Sequence, residues 1–194
     1  MKKFLSNPAV ALIITVVLVL VSLVLNTRIR LGGQCDEITA TLYSSEDGSP
    51  CIADGLNSLC NASEKMLTLS RQIGIDADEL DDDSEYSDEE IENLIADTRA
   101  SLRYGDGSAR YLYYLYEALL SKTYAMETAL GRASLSSADT EAFLAAKEEA
   151  AQAQALIAGT GYNDTVRAFL KKYDRFPTSA IASFSGVTMP KLFA

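Results

Sequence analysis

The stretch "CIADGLNSLCNASEKMLTLSRQIG", residues 51 to 74, places Ile52, Leu56, Leu59, Ser63, Met66, Ser70 and Ile73 at steps of 4, 3, 4, 3, 4 and 3. That alternation is the repeat of a helix presenting one narrow face to partners. Gly48 and Pro50 break the chain just before it, and Gly74 supplies a stop. A lone amphipathic helix is marginal in water, so the stripe requires other apolar faces to cover it.

Those faces follow along the chain. "SDEEIENLIADTRASL" opens with Ser87 as N-cap and Glu90 three places on, a capping box. Ile91, Leu94, Ile95, Thr98 and Leu102 form its stripe, and "YGDGS" at 104–108 is a turn. Ser108 caps a third helix to about Leu130, with Leu112, Leu115, Leu119, Met126 and Leu130 on one face and Gly131 closing it. Tyr111, Tyr113, Tyr114, Tyr116 and Tyr124 surround that face. A fourth helix from about Ala138 to about Asp174 carries Phe143, Ala146, Ala150, Ala153 and Ile157. A second stripe of Tyr162, Val166, Phe169, Tyr173 and Phe176 follows. The register slips between the two stripes at Gly159 and Gly161, where a kink or unwinding is expected. Alanine faces allow close helix approach, and the tyrosines of the third helix are the expected bulky complement. No stretch alternates as a strand would. The fold class is all-α, an antiparallel bundle of about four helices.

Before the bundle, residues 9–25, "AVALIITVVLVLVSLVL", are free of charge, with Lys2 and Lys3 before them and Arg28 and Arg30 after. At 1.5 Å per residue that run reaches about 26 Å, close to the ~30 Å hydrocarbon core. No small-residue cleavage site follows the run, and glutamine precedes Cys35 where a lipoprotein signal needs a small residue. The expected organisation is a short tail over 1–8, a single-pass anchor over 9–27 and a membrane-proximal linker or helix over 28–50. The bundle follows over 51–184, with an acidic loop at 76–87, and then a tail over 185–194. The charge balance favours an inside N-terminus, with the domain outside the cytoplasm.

The net charge of −10 is local: eleven carboxylates and no basic residue lie between Asp76 and Glu92, and the remainder of the chain balances to about +1. Nucleic acid is excluded as a partner for want of a basic footprint. Cys35, Cys51 and Cys60 form no CxxC, and the chain has no histidine, which removes a zinc set and the Ser-His and Cys-His nucleophile pairs. Cys51 and Cys60, nine residues apart on one helix, face opposite sides and cannot bridge. They read as small buried hydrophobes. No phosphate-cradling glycine loop is present, so no catalytic residue and no cofactor is expected. Read as a calcium loop, Asp81, Asp83, Glu85, Ser87, Glu89 and Glu92 are all oxygen donors, but Tyr86 stands where such a loop needs glycine. Asp81, Asp83 and Glu85 remain weak metal candidates beside the reading as a solvated acidic loop.

Tyr162, Asn163, Val166, Phe176, Pro177 and Ala182 together resemble the C-terminal signature of the LemA family, and "ADTRASL" resembles its Ala-Arg stretch. The family's second Tyr-Asn pair is replaced here by Phe169-Leu170. The resemblance implies a membrane-anchored helical bundle of the bacterial envelope and brings no catalytic residues. The expected function is non-catalytic protein interaction or scaffolding, with membrane lipid and an unidentified protein as partners. A divalent-cation-responsive regulator using the acidic loop is the alternative, and an enzyme whose active site a partner completes is a third reading. Phe176 and Pro177 are expected to pack and to terminate the last helix.

Overall fold

The computed structural model describes residues 8–44, 48–75, 87–105, 108–173, 179, 183–184, 186–187 and 189–193. It is all-helical, with no strand among the described residues. Among the described residues six helices run in order: α1 (Pro8–Ala40), α2 (Ile52–Ile73), α3 (Asp88–Tyr104), α4 (Ala109–Arg132), α5 (Ser137–Gly159) and α6 (Gly161–Tyr173).

The heptad face of α2 is the centre of the molecule. Ile52, Leu56, Leu59, Ser63, Met66 and Ser70 are all buried on it, and α3, α4 and α5 each pack against α2. Ion pairs fix the directions. Arg71 holds Asp88 at 2.8 Å and Glu92 at 2.6 Å, while Arg99 reaches Glu64 at 2.7 Å, so α2 and α3 are antiparallel. Lys65 pairs with Glu149, and Gly55 lies against Ile157, which makes α5 antiparallel to α2. Lys122 to Glu90 joins α4 to α3 at 2.9 Å, and Lys147 to Glu127 joins α5 to α4 at 3.0 Å. Exposed pairs of this kind contribute little stability, about 0–1 kcal/mol each. Their consistent spacing marks an up-down-up-down bundle.

Local signals place the helix ends. Ser87 Oγ accepts from Glu90 N at 3.1 Å and Ser108 Oγ from Tyr111 N at 3.2 Å. The Glu90 carboxylate, expected to fold back on the cap, is instead committed to Lys122 on α4. At the start of α2, Asp54 accepts from the backbone N–H of Cys51 at 2.9 Å and from its thiol at 3.2 Å. Gly74 and Gly105 end α2 and α3 in the left-handed region, φ 67° and 62°. α4 passes through Gly131 and ends at Arg132.

The expected interruption of the fourth helix between Gly159 and Gly161 is present and goes further than a kink, and a second expectation is corrected by packing. The fourth helix is two helices: Thr160 is extended, φ −69° and ψ 145°, and separates α5 from α6. Its N–H and hydroxyl both turn back to the Ile157 carbonyl, at 3.4 and 2.9 Å, so the break is capped by its own residue. The alanine face of α5 also does not face the tyrosines. Ala146, Ala150, Ala153 and Ile157 are buried along α2, the most extensive helix pair in the protein. Gly55 on α2 permits that approach: a Cβ there would collide with Ile157 Cγ1 and sit 3.2 Å from Leu156 Cδ2.

α1 is long and apolar enough to cross a membrane, and the apolar window within it is not buried at all. The helix continues without a joint through Gly32 and Gly33 to Ala40. Leu31, Cys35 and Ile38, followed by Leu42 beyond the helix end, are buried in the same core as the bundle helices. The first two-thirds of α1 thus carry no buried residue, and its last third supplies Leu31, Cys35 and Ile38 to the core.

Candidate functional site

The strongest concentration of unusual interactions lies where α6 begins. The break at Thr160 rotates α6 so that Tyr162, Asn163, Val166, Phe169 and Tyr173 all face inward. Asn163 is 1% exposed, and an amide buried so deeply needs partners for both its ends. It finds them in the backbone of Phe193, thirty residues on. Asn163 Nδ2 donates to the Phe193 carbonyl at 2.7 Å, and Phe193 N donates to Asn163 Oδ1 at 2.9 Å. Nδ2 also lies 3.4 Å from the Ile157 carbonyl at the end of α5. One side chain thus ties the C-terminal end of α5, the first turn of α6 and the 189–193 segment together.

The rest of the segment is fastened by aromatic contacts. The Phe193 ring is fully buried, with Tyr113, Tyr116 and Tyr162 at centroid distances of 5.7, 5.8 and 5.6 Å. The Tyr162 hydroxyl donates to the Lys191 carbonyl at 3.1 Å. Lys191 Nζ sits 4.9 Å from the Tyr113 ring and 5.0 Å from that of Tyr114, within cation–π range. Most of the tyrosines of α4 are thereby occupied within the chain. Of the remainder, Tyr124 donates to Gln154 of α5 at 2.7 Å, and Tyr111 stays exposed.

The electrostatics are those of a closed, apolar clasp. Burial, with Cys35 nearby, pushes the Tyr162 phenol far above its ordinary value, so it stays a neutral donor to Lys191. Burial likewise raises the thiols of Cys35 and Cys51, and takes that of Cys60 to about 11. These thiols are protonated and weakly nucleophilic at neutral pH.

Of the residues singled out in the sequence, Tyr162, Asn163 and Val166 come together here. Phe176, Pro177 and Ala182 lie outside the described residues, as do Asp81, Asp83 and Glu85. Of the described members of the acidic set, Ser87 caps α3, Glu89 is exposed and Glu92 is paired with Arg71. That guanidinium holds the Glu92 carboxyl below its ordinary value. Sequence reading missed Phe193 and Lys191 altogether. Among the described residues, no three His, Cys, Asp or Glu side chains converge. The chain matches no known family model, no curated protein and no solved structure.

Proposed function

We propose that this chain is a membrane-anchored helical-bundle module of the LemA type. It acts by presenting a rigid protein surface to a partner at the bacterial envelope, without chemistry of its own and with the bundle outside the cytoplasm. The observation that carries the reading is the unbroken passage of α1 from an apolar, uncovered stretch into the bundle core at Leu31, Cys35 and Ile38. A bundle joined to its anchor in this way holds a fixed attitude to the bilayer, as a docking platform requires. The shared burial of Tyr162, Asn163 and Val166 supports the likeness to the LemA signature, because these residues organise the end of the bundle that carries α1.

Photo-crosslinking in intact membranes from Tyr111 and from Leu144, both exposed, tests the proposal. Discrete adducts are expected with the full chain and not with a chain lacking residues 8–27. The absence of adducts from either position, or the same adducts from the unanchored chain, overturns the scaffold reading.

A further inference from the structure

Where α1 leaves its apolar run, it meets the far end of α6. Asn26, Thr27, Arg30 and Leu31 of α1 and Lys172 and Tyr173 of α6 enclose a cleft of about 270 Å³. Leu31 and Tyr173 are its buried residues, while Arg30 and Lys172 are exposed on its rim. Tyr173 is fixed by donating its hydroxyl to Gln34, one turn beyond Arg30 on α1. Lys172 Nζ lies 5.6 Å from the Tyr173 ring. Arg28 and Lys171 are exposed at neighbouring positions on the two helices, but the cations that line the cleft are Arg30 and Lys172. Among the described residues none of the four is in an ion pair. Asp164, the carboxylate in the first turn of α6, is already held by Arg167 at 3.0 Å.

The position of the cleft along α1 is as informative as its charge. Arg28 and Arg30 are three and five residues past Leu25, the last of the apolar run. At 1.5 Å per residue they stand about 4.5 and 7.5 Å beyond the hydrocarbon boundary, which is the depth of the headgroup layer. Lys172 shares the cleft with Arg30 and stands at the same level. The next carboxylates on α1, Asp36 and Glu37, lie six and seven residues past Arg30, about 9 Å or more further from the bilayer.

We infer that this cleft is a binding site for the headgroup of an anionic phospholipid, its phosphate held between Arg30 and Lys172. The inference rests on α1 spanning the membrane. Guanidinium and ammonium groups at a helix exit are the ordinary means of recognising such headgroups, and each is worth about fivefold in affinity near an anionic surface. Tyr173 and Leu31 give the lipid's glycerol end an apolar wall.

The test is native mass spectrometry of the full-length chain in neutral detergent, titrated with phosphatidylglycerol or with phosphatidylcholine. The chain should retain phosphatidylglycerol at least about fivefold more strongly than phosphatidylcholine. The pair Arg30→Gln with Lys172→Gln should abolish that preference, while Lys65→Gln, on the exposed face of α2, should leave it unchanged. Equal retention of the two lipids overturns the inference, as does a loss as large in the Lys65 variant. Displacement of the lipid by millimolar inorganic phosphate would assign the cleft to a soluble anion and overturn it too. Full recovery of the chain without detergent would instead defeat the anchoring reading itself, before any lipid is added.

Discussion

The α2–α5 pair and the end of the bundle where α4 meets α6 are packed from opposite materials. Along α2 and α5 the contacts are Gly55 and a row of alanines, and the two backbones come close. At the other site four aromatic rings and one amide hold a short segment that has no helix of its own. Small residues each bury little area and depend on shape over a long interface. Large ones bury much and depend on a few positions. The first kind of interface should therefore fail gradually under mutation and the second abruptly.

Phe193→Ala is the sharpest way to expose that difference. The ring is fully buried among three tyrosines, so its loss should cost about 3–5 kcal/mol, measured by urea denaturation in a non-ionic detergent. Asn163→Ala should approach the same figure by a different route. It leaves the buried N–H and C=O of Phe193 without partners, at about 1–3 kcal/mol each. A cost below about 1 kcal/mol for both variants would show that the segment does not hold the bundle together.

Next in size is a pH effect on the α2 side. Cys60 is fully buried and its thiol is raised from 9.0 to about 11. The folded state then resists ionisation that the unfolded chain accepts. The stabilising contribution is complete below about pH 8.5 and is lost as pH rises through 11, at most about 2–3 kcal/mol. Other groups titrate in that range, so the measurement is the difference between the parent and Cys60→Ala. The variant should lose less stability between pH 8 and 11. Parallel curves would contradict the assignment.

A matched pair of glycine substitutions separates helix propensity from close packing. Gly131→Ala meets open space inside α4 and should stabilise by about 0.5–1 kcal/mol. Gly55→Ala gains the same propensity but drives a methyl into Ile157, where overpacking costs about 1–3 kcal/mol. The net change should be destabilising by about 1 kcal/mol. Thermal melts that move the same way for both variants would mean that α2 and α5 are not as close as described.

The two regions also differ in how readily they were read from sequence. Every stripe residue from Ile52 to Ser70 on α2, and all five on α4, is buried, because heptad spacing specifies a face without reference to a partner. Which face meets which is a tertiary matter. The alanines of α5 were expected against the tyrosines of α4, yet nothing local distinguishes that from packing on α2. The stretch over 28–50 could be read only as a linker or helix, whereas α1 runs on through Gly32 and Gly33 with Leu31, Cys35 and Ile38 buried on either side of them. The clasp was least legible. Phe193 is a single aromatic in an aperiodic stretch, and the bonds that place it run from a side chain to a backbone thirty residues away. Asn163 stands out in the sequence only as part of the C-terminal signature, and a buried amide gives no signal of what it binds.

One polar contact belongs to the legible region and still sharpens the contrast. The α4 stripe steps from Leu119 to Met126, and the heptad position between them is Thr123. Its hydroxyl lies 2.7 Å from that of Ser63, the polar member of the α2 stripe, with both residues buried. Each hydroxyl also lies within 2.8 Å of a carbonyl one turn back, Leu59 or Leu119. Two protons thus serve three short contacts, so one hydroxyl must share its proton or leave its carbonyl without it. Ser63→Ala or Thr123→Val alone should cost about 1 kcal/mol or less, since the surviving hydroxyl keeps its carbonyl. The double variant should cost no more than either single, because removing both partners leaves no orphan. If the pair instead sets register, as polar residues in helical seams do, the double variant will keep its stability and lose uniqueness. Broadened methyl resonances at Leu59 and Leu119 would report that loss, and sharp ones would reduce the pair to ordinary core filling.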